Sequence, residues 1–198
     1  MHLRCPALLL SARAHGETAT IARALTEEYG VVAAYVAGGR GRRLRPVLIP
    51  GNLLDLQLSA RSEAQLPFAT PELLRSRGAL LAEPLAAAAI GWVTALTATV
   101  LPERQPYPRL FAGLGGLLDA IGTAGAARDW LPGLLAYETL VLRELGFGGT
   151  APVPGTLAET LAGLDRLRPL IERYLLADRR GDVMAARTRL RGLLSRME

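Results

Sequence analysis

The period of the apolar residues changes once along this chain, and that change limits what the chain can fold into. Up to about residue 75, short apolar stretches alternate with turn signals; beyond it, long Leu- and Ala-rich segments are separated by proline and glycine. In "NLLDLQLSAR", Leu54, Leu56 and Leu58 face one way while Asp55, Gln57 and Ser59 face the other. A period of two marks a half-buried strand. "ALLLSARA" and "VVAAYVAGG" (Val31–Gly39) read as further strands, rich in β-branched or apolar residues, with "AHGE" as a tight connection. The segment Glu17–Gly30, "ETATIARALTEEYG", has a helix-favouring composition. It lies between two strands with short connections, so a hairpin strand is the expectation.

From "TPELLRSRGALLAEPLAAAA" onward the period is helical. Thr70 before Pro71 and Glu72 reads as an N-cap with proline at the first helical position, and Leu73 and Leu74 begin an apolar face. "LAAAAIGWVTALTATVL", Leu85 to Leu101, is seventeen uncharged residues between Pro84 and Pro102. A bilayer span needs roughly 20. A short Ala-rich run with Thr94, Thr97 and Thr99 suits a buried helix better, so no membrane span is expected. Further helices are expected at Pro108–Ile121, Ala126–Leu145, Leu157–Leu176 and Asp182–Arg196, with Trp92, Trp130 and Tyr137 as core anchors. Short antiparallel strands must close on themselves to hide their edges. The expected fold class is therefore α+β: an OB-fold β-barrel over residues 1–75, then an all-α helical domain over residues 76–198.

Composition removes several classes of function. Of 198 residues half are apolar, enough for a real core. Cys5 is the single cysteine, so no intrachain disulfide can form, and with only His2 and His15 beside it no zinc-ligand set exists. No metal and no cofactor are expected. "GLGGLLDAIG" (Gly113–Gly122) follows no strand and lacks the lysine and Ser/Thr of a phosphate loop. Glu138 and Glu144 make a poor acid pair in a helical setting, and two histidines near the N-terminus leave a catalytic triad without material. The expectation is a protein that is not an enzyme. The N-terminal apolar run is broken by Pro6 and meets Arg13 too early for a signal-peptide core, which points to a cytoplasmic protein.

The net charge of +5 comes from 23 arginines and no lysine. Ala, Gly, Leu and Arg rise together, as a high-GC coding bias produces, so arginine in place of lysine carries no weight by itself. Its placement does. "GGRGRRLRP" sets Arg40, Arg42, Arg43 and Arg45 between two strands, and no acid occurs between Gly30 and Asp55. Guanidinium forks match phosphate oxygens, and the glycines at 38, 39 and 41 let a ligand approach the backbone. The alternative is a solvated basic turn. Arg13, Arg23 and Arg61 could extend the same surface. A second basic concentration comprises Arg166, Arg168, Arg173, Arg179, Arg180, Arg187, Arg189, Arg191 and Arg196. It reads either as a second basic surface, meeting DNA that leaves the barrel or an acidic partner, or as the charged outer face that amphipathic helices carry routinely. Before residue 70 the aromatics are Tyr29, Tyr35 and Phe68, so affinity for nucleic acid is expected to be mainly electrostatic and salt-dependent.

The order "LLLSARAHGETATIARALTEEYGVVAAYVAGGRGRRLRPVLIPGNLLDLQLSARSE", followed later by "LLAYETLVLRELGFG" (Leu134–Gly148), resembles the RecO family of bacterial recombination mediators over nearly the whole chain. The resemblance implies an OB-fold domain and a helical domain that bind single- and double-stranded DNA and anneal complementary strands. It implies work with RecR to load RecA onto strands coated with single-strand-binding protein, contact with that protein's acidic C-terminal tail, and a place in the cytoplasm with the nucleoid. Some members carry four zinc-binding cysteines after the second motif; here "GTAPVPGTLAETL" has none, so the chain resembles the zinc-free members. The alternative reading is a helical scaffold whose small barrel meets protein or RNA without annealing activity.

Overall fold

The alternation at Leu54, Leu56 and Leu58 becomes an inward row, each side chain at most 2% exposed. The structure is a computed structural model that describes residues 2–60, 62, 65–148, 153–177 and 183–196. Five strands, β1 (His2–His15), β2 (Ala19–Thr26), β3 (Gly30–Val36), β4 (Leu53–Ser59) and β5 (Phe68–Arg75), follow one another round a barrel in the order β1-β2-β3-β5-β4, with β4 returning to β1. The seam between β3 and β5 is thin. It holds one parallel pair, Tyr35 opposite Phe68, and a hydrogen bond of 2.8 Å from the Tyr35 N–H to the Pro67 carbonyl. A five-stranded, partly open barrel is the OB type. His2–Leu8 of β1 pair with β4 and Ala7–His15 with β2, and a bulge between Leu9 and Ser11 interrupts the second ladder. The segment read as a hairpin strand despite its composition is β2.

The region from Thr70 to Arg75 departs from the expected helix start. It is strand β5, antiparallel to β4, with Leu56 opposite Pro71 and Leu54 opposite Leu73. Thr70 caps nothing, and Leu73 and Leu74 are 40% and 54% exposed instead of opening an apolar helical face. Tertiary pairing overrides the local cap signal, because without β5 the edge of β4 would stand open. Proline is tolerated on a strand whose other edge is nearly unpaired, as that of β5 is.

Among the described residues, a 3-10 turn at Gly78–Ala82 is followed by the helices α1 (Pro84–Val100), α2 (Pro108–Thr123), α3 (Ala127–Glu144), α4 (Leu157–Leu170) and α5 (Val183–Leu194). The chain leaves α4 through a wider π turn at Ile171–Leu175. The uncharged run is α1, and it is central: Ala89, Ile90, Trp92, Val93 and Leu96 are at most 1% exposed. Its threonines return their hydroxyls to carbonyls one turn earlier, Thr94 to Ile90 at 2.8 Å and Thr99 to Ala95 at 2.8 Å, so a buried helix carries them without unpaired donors. Among the described residues no helix is long and apolar enough to cross a membrane.

Two cores result. One fills the barrel, from Ala7, Leu9, Ala22, Ala24, Val32 and the β4 leucines. The other joins the barrel's outer side, through Leu8, Leu10, Leu25 and Val31, to α1, α2 and α3. Trp92, Trp130 and Tyr137 stand in this second core, at most 4% exposed. Burial pushes the Tyr137 phenol well above its ordinary value, and its hydroxyl meets Thr97 Oγ1 at 2.6 Å.

Arg187, expected on a basic surface, is not on one. It lies 4% exposed on the inward face of α5, where Nη2 meets Glu138 Oε2 at 2.7 Å and Nε meets Oε1 at 3.0 Å. Trp92 Nε1 donates to the same carboxylate at 2.7 Å, and Arg187 Nη2 also reaches the Leu164 carbonyl. The charge is buried because its donors are answered by a carboxylate of α3 and a carbonyl of α4. Removing one partner strands the other. Arg187→Leu is expected to lower the unfolding free energy by about 3–5 kcal/mol in a urea titration. Arg189→Ala, on the exposed side of the same helix, is expected to change it by less than about 0.5 kcal/mol.

Candidate nucleic-acid interface

The segment between β3 and β4 is a plug, not a free linker. Leu44 and Leu48 are each 8% exposed and pack into the barrel core. Between them the backbone winds through helix-like turns: the Leu44 and Arg45 N–H groups donate to the Gly41 carbonyl at 3.1 Å, and Leu48 N–H donates to the Leu44 carbonyl at 2.9 Å. Residues four apart on such a turn share a side. With Leu44 and Leu48 turned inward, Arg42, Arg43 and Arg45 are left exposed, and none has an ion-pair partner among the described residues. Arg40 is exposed too but partly committed. Its Nη1 donates to the Gly16 and Glu17 carbonyls at 3.0 and 2.9 Å, fastening the plug to the β1–β2 hairpin. Gly39 permits the approach, since a Cβ there would stand 2.6 Å from Thr20.

A buried amide fixes the far end of the plug. Asn52, fully buried, donates from Nδ2 to the Pro46 and Val47 carbonyls at 3.0 Å each, and its Oδ1 accepts the Arg77 N–H at 2.7 Å. Arg77 is 4% exposed; its Nη1 donates to the Gly51 carbonyl at 2.7 Å, and Nη2 pairs with Asp119 on α2. Burial lowers the Arg77 pKa, and the Asp119 carboxylate works against that shift. Gly51 has φ +92°, and a Cβ there would press on Ile90 of α1 at 2.9 Å. Neither Asn52 nor Arg77 stood out in the sequence as a functional residue. The available signal was a lone Asn after Pro-Gly at the head of an apolar strand.

The other arginines fall into different settings. Arg13 is exposed on β1 beside the same hairpin. Arg23 is only 32% exposed and pairs with Glu103 at 3.3 Å, in the connection that runs beside β3. Arg61, Arg179 and Arg180 lie outside the described residues. In the C-terminal region Arg166, Arg168, Arg173, Arg189 and Arg196 are exposed. Local acids answer some of that charge: Arg168 meets Glu172 at 3.0 Å, and Arg191 holds Asp165 with two bonds of 3.0 Å. The Arg191 bonds hold the Asp165 carboxyl below its usual range. Arg173 lies 5.3 Å from the centre of the Tyr174 ring. No group of three His, Cys, Asp or Glu side chains converges as a metal site among the described residues.

Fold and site together define an OB-fold protein with an appended helical domain. Residues 1–77 match the family model described as Recombination protein O N terminal, and residues 81–149 match Recombination protein O C terminal. The chain belongs to the RecO family. It is 39% identical over 148 residues to the DNA repair protein RecO of Cereibacter sphaeroides (strain ATCC 17029 / ATH 2.4.9), covering 75% of this chain and 60% of that one. Against the DNA repair protein RecO of Rhodospirillum centenum it is 43% identical over 143 residues, covering 72% and 56%. Against that of Caulobacter vibrioides (strain NA1000 / CB15N) it is 39% identical over 143 residues, covering 72% and 58%. The chain thus spans about 60% of the length of the relatives it matches. Helices α4 and α5 lie beyond the matched residues.

Replacing Asn52 with alanine leaves the buried Arg77 amide and two loop carbonyls unpaired. The expected cost is about 1–3 kcal/mol of stability. Amide exchange should accelerate at residues 44–48, with β2 unchanged.

Proposed function

We propose that this chain is a non-enzymatic DNA-repair mediator whose barrel, residues 1–75, holds DNA through the arginines of the plug. The observation that carries the reading is that Arg42, Arg43 and Arg45 stand exposed, with no ion-pair partner among the described residues, on a turn anchored by Leu44 and Leu48. Phosphate neutralisation supplies most non-specific affinity for nucleic acid, and guanidinium is the side chain best shaped for it. Arg40, bonded to the turn of the β1–β2 hairpin, and Arg13, on its first strand, widen the positive surface. Arg23 contributes less, because Glu103 answers it. The relatives' name, DNA repair protein, agrees with this use of the surface.

In this reading the surface neutralises phosphates of two strands at once, lowering their repulsion while the pairing edges of the bases stay open. The products are annealed complementary strands and, with RecR, RecA loaded onto strands coated with single-strand-binding protein. Single- and double-stranded DNA are both ligands. The helical part, residues 76–198, supplies docking for RecR and for the coating protein's acidic tail, and the exposed arginines Arg166, Arg168, Arg173 and Arg189 suit an acidic peptide. The work is done on the chromosome, in the cytoplasm.

The test is annealing of complementary oligonucleotides, bare and coated with single-strand-binding protein. The intact chain should accelerate both; no acceleration in either would remove the mediator reading. Converting Arg42, Arg43 and Arg45 together to alanine should reduce the slope of log K against log salt for single-stranded DNA by about 2, from roughly 0.7 per lost phosphate contact. An unchanged slope would make the plug a structural cap only.

A further inference from the structure

A row of side chains on the outside of the barrel is out of character for a solvated sheet. Arg13 on β1 stands opposite Ile21 on β2, Ile21 opposite Tyr35 on β3, and Tyr35 opposite Phe68 on β5, so four neighbouring strands present them in register. Successive residues of a strand point to opposite faces. The next residues inward, Ala12, Ala22, Ala34 and Ala69, belong to the barrel core, which places the row itself outside. Phe68 is 60% exposed, and His15 is exposed beside it in the row's aromatic cluster. Tyr35 meets His15 at 5.9 Å between ring centroids and Phe68 at 5.2 Å, both edge-to-face, with planes at 86° and 70°. Such contacts hold the rings in place while leaving most of their faces uncovered by one another.

We infer that His15, Tyr35 and Phe68 form a stacking platform for the unpaired bases of single-stranded DNA. The inference rests on the reading of the plug as a phosphate-binding surface and adds a base-binding surface to it. Charge complementarity selects this occupant. Arg13 ends the row, and the Arg40 guanidinium is bonded to the Gly16 and Glu17 carbonyls directly after His15, so cations border the rings where a backbone would run. Every base has a π face, which makes such a platform tolerant of sequence. A duplex hides its base faces, so the platform separates single from double strands where the arginines do not.

Phe68→Trp in the full chain tests this directly. The native tryptophans Trp92 and Trp130 are 0% and 4% exposed, so a tryptophan at position 68 supplies the solvent-facing emission. Titration with labelled oligo(dT) should quench that emission in step with the rise in anisotropy, and a duplex of equal length should bind without quenching it. Phe68→Ala and His15→Ala, both at exposed positions, should each weaken oligo(dT) binding about tenfold, leaving duplex affinity and the salt slope unchanged. Binding by anisotropy with unchanged tryptophan emission and unchanged affinity in both alanine variants would overturn the platform and leave the arginine plug standing. Absence of binding by the wild-type chain would overturn both. Emission that shifts with protein concentration alone would assign the row to a second copy of the chain and overturn the platform.

Discussion

One buried amide side chain ties the parts of this molecule together. Asn52 reaches back to the plug at Pro46 and Val47 and forward to the backbone of Arg77, and Arg77 carries the connection on to Asp119 of α2. Barrel, plug and helices therefore meet at a site where each polar group has a designated partner. Buried polar groups are costly when unpaired, so a fully paired one selects a single arrangement. What it selects here is the orientation of the plug: leucines in the barrel, arginines in solvent. The exposed charge is thus a consequence of buried geometry.

The two basic regions show why counting arginines says little about a binding surface. In the plug no acid is near in sequence, and Arg42, Arg43 and Arg45 have no carboxylate partner among the described residues. In the helical region Glu138, Asp165 and Glu172 each take an arginine, and Arg187 has gone into the core to do so. A charge that is already answered releases less free energy on meeting a phosphate. In the plug, three neighbouring exposed arginines keep their charge with no carboxylate partner among the described residues.

Much of this fold was legible in the sequence. The alternation in β4 is a local signal, and so is the uncharged run of α1 between two prolines. β5 was not legible, because Thr-Pro-Glu is a sound helix start in isolation, and only the open edge of β4 makes it a strand. The arginine plug could be found from its charge, but its two anchors could not. Leu44 and Leu48 reveal their role only once a barrel exists for them to fill, and Asn52 and Arg77 are separated by an entire strand pair. Arg187 looked like any charged helix residue because its partner, Glu138, is 49 positions away. The outer aromatic row is invisible for the same reason: its members come from separate strands and meet only through register.

On the proposed function, DNA meets this chain on the plug and hairpin side of the barrel. Amide hydrogen exchange of the full chain, with and without a saturating single-stranded oligonucleotide, tests it most directly. New protection is expected at residues 13–18 and 38–48, with α4 and α5 unchanged. Protection confined to α4 and α5, with the plug exchanging as in the free protein, would contradict it.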